Sequence, residues 1–108
     1  VNKGETLIDR LALLAVLKAK PGKERAVEQF LVSAQPLVLA EVGTTNWFAV
    51  KFDDQRYGIF DTFSDEHRRN AHLNGEVARL LFAKAEELFT EPPVVEMLEI
   101  LASTSQSG

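Results

Sequence analysis

The side chain of this sequence singled out to move a proton near neutral pH is His72, with Asp61 as its candidate partner. Imidazole takes up and returns a proton close to neutrality, which makes His72 the first candidate acid or base. The competing reading is a helix-capping or structural histidine bonded to a strand. Asp61 lies in the run Tyr57-Gly58-Ile59-Phe60-Asp61-Thr62-Phe63 among aromatic neighbours, so its charge must be paired or partly solvated. It could orient His72 as a carboxylate partner, or bond backbone or an arginine such as Arg56 or Arg69. Trp47, Tyr57, Phe48 and Phe60 could wall a flat aromatic molecule, with Tyr57 adding a hydroxyl; strand aromatics more often serve as core or dimer contacts. Asn46 is a candidate polar contact, while Asn74 reads more simply as a helix N-cap. His67 stands among Asp65, Glu66, Arg68 and Arg69, a solvated run.

Other chemistries have no support in the residues. There are no cysteines, which removes disulfides, thiolate metal sites and a Cys nucleophile together. The sequence has no Gly-rich phosphate loop, metal-ligand cluster or Ser-centred nucleophile motif, so neither a cofactor nor a metal is expected. A formal charge of -4 without a basic stripe disfavours nucleic acid, whose affinity comes mainly from clustered Lys and Arg. The longest early apolar run, Leu11 to Leu17, is too short to span a bilayer and is closed by Lys18 and Lys20. No membrane association and no secretion signal are expected, and the lack of cysteine suits a reducing cytoplasm.

Periodicity along the chain sets the strands and helices that carry these residues. Arg10 to Lys18 is apolar on both alternating sides, which marks a strand buried on both faces, and Lys20-Pro21-Gly22-Lys23 is a turn. From Lys23 to about Val42, Ala26, Val27, Phe30, Leu31, Ala34, Leu37 and Val38 recur at helical spacing. Pro36 should bend this helix and Gly43 should end it with a positive φ. Thr44 to Phe52 and Arg56 to Phe63 form a hairpin about Asp53-Asp54-Gln55. Its first strand puts Phe48, Val50 and Phe52 on one face and Trp47 and Ala49 on the other. Ser64 is the expected N-cap of a helix that breaks near Asn74-Gly75 and resumes with Val77, Leu81 and Leu88, flanked by Ala78, Phe82 and Ala85 facing inward. Pro92-Pro93 ends it, and Val94 to Ala102 is a last strand.

The 108 residues, 45% hydrophobic and 26% charged, suit one globular domain. We read residues 1–9 as an N-terminal segment, 10–102 as the domain and 103–108 as a disordered tail. The order strand, helix, strand, strand, helix, strand is the split βαβ arrangement, an α+β ferredoxin-like fold with a four-stranded antiparallel sheet. One copy has helices for one sheet face only. An apolar second face calls for a cover, and an identical sheet supplied by two-fold symmetry gives a homodimer through the sheet face.

Glu41-Val42-Gly43-Thr44, Trp47-Phe48-Ala49-Val50-Lys51, Tyr57-Gly58-Ile59-Phe60-Asp61-Thr62-Phe63 and Ala71-His72-Leu73 together make the chain resemble the antibiotic biosynthesis monooxygenase family, over roughly Leu11 to Leu101. The resemblance implies a dimeric α/β-barrel and a cofactor-independent monooxygenase. Such an enzyme oxidises a small electron-rich aromatic, a phenol or anthrone, to a quinone with O₂; its protein supplies a dry pocket, orientation and a base. His72 matches the family's Ala-His-Leu segment. The haem-degrading branch resembles the chain in fold, but its ligand His and its Asn fall on Phe82 and Ala15, and its Trp on His72, which argues against haem. The alternative to an oxygenase is a non-catalytic dimeric module that binds a small apolar ligand or serves a stress-related role.

Overall fold

The computed structural model describes residues 9–104. Residues 1–8 of the expected N-terminal segment and residues 105–108 of the expected tail lie outside the described residues. The elements run β1 (Leu11–Lys18), α1 (Glu24–Leu39), β2 (Asn46–Lys51), β3 (Arg56–Phe63), α2 (Glu66–Leu73), α3 (Glu76–Leu88) and β4 (Val94–Glu99). The four strands form one antiparallel sheet in the order β2-β3-β1-β4. This is the α+β ferredoxin-like fold that the element order predicts. The sheet is open, with β2 and β4 as its edges.

Strand alternation sorts the sheet into two unlike faces. Leu13, Ala15 and Leu17 of β1 stand opposite Asp61, Ile59 and Tyr57 of β3, and all six are buried under the helices. The main core joins Leu17, Tyr57 and Ile59 to Val27 and Leu31 of α1 and Leu81 and Leu88 of α3. The other face carries Leu14, Val16, Phe48, Val50, Phe60 and Leu98, which the registers place side by side. Phe48 and Val50 there remain 53% and 41% exposed. One layer of helices can cover only one side of a sheet, so the second apolar side stays open in the protomer.

The turns show where side chains overrode local signals. Asp53 holds the β2–β3 hairpin by accepting from Gln55 N and Arg56 N, both at 2.9 Å. The N-cap of α2 is Asp65, whose Oδ1 accepts from Arg68 N at 2.9 Å, and not Ser64: the carboxylate is the stronger acceptor for an orphan helix N–H. Asn74 is the C-cap of α2, and Gly75 is the N-cap of α3, so the expected N-cap role of Asn74 is corrected. α1 runs through Pro36 and ends at Ala40 in right-handed helical geometry. Among the described glycines only Gly22 has a positive φ, 85°. Gly43 is therefore present for space: a Cβ there would lie 2.9 Å from Cβ and Cγ of Arg68. Phe82, expected inward, is half exposed. β4 itself stops at Glu99, three residues before the expected end.

Candidate functional site

His72 occupies the last turn of α2 and is buried against the sheet, with the Phe63 ring 5.4 Å from its own. Its Nε2 lies 2.9 Å from Asp61 Oδ2, and its Nδ1 lies 2.6 Å from Glu41 Oε1. Asp61 projects from the inner strand β3, 2% exposed; Glu41 comes from the turn after α1. Thr44 Oγ1 donates to the same Glu41 oxygen at 2.7 Å and lies 3.4 Å from His72 Nδ1, so it holds that carboxylate beside the histidine. The structure thus brings together the two residues singled out for proton chemistry, and adds a third that the sequence had hidden.

A histidine facing a carboxylate at each ring nitrogen is suited to the doubly protonated form, because only imidazolium donates from both. Burial is the largest single influence on its pKa and pushes it down, but the hydrogen bonds and attraction of Asp61 and Glu41 together outweigh it, and the pKa is raised above the ordinary 6.5. The histidine stabilises the fold fully below pH 6.5, its value before folding, and loses that contribution as pH rises through the raised folded value. Glu41→Gln keeps an acceptor for Nδ1 but removes one of the two charges. Followed through its ring Cε1–H resonance, His72 should titrate at lower pH in this variant than in wild type; an unchanged titration would show that Glu41 carries no such weight.

Two hollows meet at His72. An inner pocket of about 40 Å³ lies between the sheet and the later helices, walled by Trp47, Asp61 and His72 together with Ala15, Leu81 and Phe82. An outer cleft of about 610 Å³ lies between the end of α1 and α2, lined by Leu37, Val42, Thr44 and Arg68, with Glu41 and His72 among its walls. The His72 trio separates the two. Asp61 Oδ1 and Trp47 Nε1 are both buried with no hydrogen-bond partner among the described residues. Among those residues no group of three or more His, Cys, Asp or Glu side chains is arranged to hold a metal ion. Ala15 and Phe82, the positions matched to the haem branch's Asn and His, both wall the inner pocket, and neither can ligate iron.

The remaining candidates fall elsewhere. Tyr57 shares the helix-covered face but sits in the core, its hydroxyl donating to Glu28 Oε2 at 2.7 Å. Burial, then the Glu28 carboxylate, pushes its pKa up to about 12, so it is a neutral structural hydroxyl. Phe48 and Phe60 project from the open face, opposite to His72, because strand residues of unlike parity point to opposite sides. Asn46 is on that face too, donating to Asp9 Oδ2 and Thr62 Oγ1 at 3.1 and 3.0 Å. These four are not brought to the pocket that Trp47, Asp61 and His72 wall. Arg56 pairs with Asp53 at 2.9 Å rather than with Asp61. His67 is exposed, as its charged surroundings predict.

The fold is that of the antibiotic biosynthesis monooxygenase-like proteins. A provisionally named antibiotic biosynthesis monooxygenase from Caulobacter crescentus superposes with a TM-score of 0.74 at 16% identity, over 93% of this chain and 97% of that one. Another so named, from Nitrosomonas europaea, gives 0.76 at 13% identity, over 85% and 99%. At such identities the likeness is one of fold alone. A further Nitrosomonas europaea structure, of a protein of unknown function, is 49% identical over 94% of this chain and 99% of its own, with a TM-score of 0.90. The chain belongs to the same family as that protein. No protein-family model and no curated protein matches the sequence. Among the described residues no helix is long and apolar enough to cross a membrane.

Proposed function

We propose that this chain is a cofactor-independent monooxygenase that oxidises a small electron-rich aromatic, of the phenol or anthrone type, to a quinone. The observation that carries the reading is the buried Asp61, held by His72 at 2.9 Å through one oxygen while the other is unpartnered beside a pocket. The roles expected from residue type are thereby exchanged. His72 donates from both nitrogens and is a poor base, so it positions Asp61, and Asp61 Oδ1 takes the proton.

For a phenol the steps balance as follows. The O–H proton passes to Asp61, the phenolate gives one electron to O₂, and the radical pair joins at the para carbon as a peroxide. That peroxide takes the proton back from Asp61. Loss of the ring C–H proton with cleavage of the O–O bond then forms the second carbonyl, and the departing hydroxide and proton make water. One O₂ is consumed per quinone and no external reductant is needed. The protein contributes orientation, exclusion of water and a base. An oxygen electrode tests this with a dihydroxynaphthalene or an anthrone and no added flavin or iron. Uptake matched by quinone formation is expected; catalysed uptake at no more than the rate of heat-denatured protein would defeat the reading.

The working unit in this proposal is residues 10–102 paired with a second copy through the open sheet face, completing a dimeric α/β barrel in the cytoplasm. The support is that Phe48, Val50, Phe52 and Val94, at 41–53% exposure, would otherwise stand in water, and an identical sheet offers matching apolar surface. Light scattering at micromolar concentration should give twice the 12.0 kDa chain mass. Val50→Asp, which puts a charge on that apolar face at the edge strand β2, should give the single mass. A monomeric wild type would end the barrel.

The size of the hollows favours one other reading, a binding module that turns nothing over. The inner pocket is about 40 Å³, whereas the outer cleft, about 610 Å³, lies in the range of small-molecule sites. Native mass spectrometry of freshly purified protein separates the two: a retained apolar ligand without oxygen uptake supports binding alone.

A further inference from the structure

We infer that the inner pocket recognises one particular group, an acidic hydroxyl on an aromatic or enolic carbon, by clasping it between Asp61 Oδ1 as acceptor and Trp47 Nε1 as donor. The inference deepens the proposed function, whose pocket it takes as the substrate site.

Trp47 of β2 and Asp61 of β3 are direct cross-strand partners on the helix-covered face, and residues so paired have adjoining side chains. Both line the inner pocket. Each carries one buried polar atom without a partner among the described residues, a donor on the indole and an acceptor on the carboxylate. Buried polar atoms are nearly always paired, and an unpaired one is a standing cost that a ligand can remove. The second Asp61 oxygen is already engaged by His72, so the geometry of the first is set by the protein rather than by the ligand.

The ligand's chemistry follows from satisfying both atoms at once. A carbonyl would pair with Trp47 and leave Asp61 unpaired; an ammonium would do the reverse; a carboxylate would meet Asp61 with like charge. A hydroxyl donates and accepts at one oxygen. An acidic hydroxyl gains most, because its bond to a carboxylate is charge-assisted. The other walls include Ala15, Ile59, Leu81, Phe82 and Val95, which suit an apolar ring and not a sugar or a polyol. A void of about 40 Å³ has room for about one water molecule, whereas an engineered cavity that takes benzene measures on the order of 150 Å³. The ring must therefore lie toward the mouth, beside the half-exposed Phe82.

The chain has a single tryptophan, so one indole N–H resonance reports directly on the clasp. The test titrates the full-length protein anaerobically with 2-naphthol and with its methyl ether, 2-methoxynaphthalene, by calorimetry and by ¹H–¹⁵N NMR. The naphthol should bind about tenfold or more tighter, the worth of a good hydrogen bond to a charged group. It alone should move the indole resonance downfield, Trp47→Phe should reduce its advantage several-fold, and Phe82→Ala should tighten both ligands by opening the mouth. Equal binding of the two, binding of neither, or an indole resonance indifferent to the naphthol overturns the inference and leaves the clasp as a site for water only. Oxygen uptake without hydroxyl preference would leave the oxygenase reading standing and this one fallen. Preference for the hydroxyl without uptake would do the opposite.

Discussion

Replacing His72 with alanine should destabilise the protein by about 3–5 kcal/mol, the cost of leaving a buried charge without its partner. The expected loss is large because the histidine serves two carboxylates. Asp61 is 2% exposed and cannot recover in water what it loses, while Glu41, partly buried in the wall of the outer cleft, recovers only part of it. Thr44 would still donate to Glu41, but Asp61 Oδ2 would join Oδ1 in having no partner. The Phe63 ring, fully buried against the imidazole, would border a new void, adding to the cost. For a domain of this size the melting temperature should fall by more than about 12 °C. Urea unfolding of both proteins checks it, and a loss under about 1 kcal/mol would show that the trio is worth no more than a surface ion pair. Measured against pH, the gap between the two proteins should be widest below pH 6.5 and narrow as the histidine deprotonates above it.

Asp61→Asn should remove turnover while sparing much of the fold. The amide oxygen can still accept from His72 Nε2, so the internal hydrogen bond survives. The pocket then presents an N–H₂ beside the indole N–H, two donors where a donor and an acceptor stood, and the base is gone. General-base contributions of this kind are about 10²–10⁴-fold in rate. The expected result is a fall of that order in kcat with circular dichroism unchanged. A variant that consumes oxygen within about threefold of wild type would show that Asp61 is not the proton acceptor, even if the enzyme activity itself is real. The pairing of the two substitutions is informative. His72→Ala acts on stability first and on catalysis through Asp61, whereas Asp61→Asn acts on the chemistry directly.

Much of the architecture was legible because simple periods carried it. The stripe Val27, Leu31, Ala34 and Val38 is buried along α1, and Arg56–Phe63 is the strand that alternation marked. Capping was less legible, since Ser64, Asp65, Asn74 and Gly75 all have cap chemistry, and only the final path of the chain decides which backbone N–H or C=O each can reach. Of the site, His72 and Asp61 stood out because few residue types titrate or carry charge within an aromatic strand. Glu41 did not. It reads as the polar tail of a helix, and nothing in its neighbours says that a histidine 31 positions later will close on it. A hint lay in Gly43, whose missing side chain lets Arg68 of α2 press against the turn that carries Glu41.

What the amino-acid order determined by itself is the set of local periods: which segments are strands and helices, and that Trp47 and Phe48 must point to opposite sides of one sheet. These depend on bonds and neighbours a few residues apart. Long-range packing settled which side received the helices, and with it that Trp47 joins Asp61 and His72 while Phe48, Phe60 and Asn46 face away. It also decided that His72 is gripped from both ends. That outcome turns on contacts between segments distant in the chain, where burial makes each unpaired charge costly enough to select its partner.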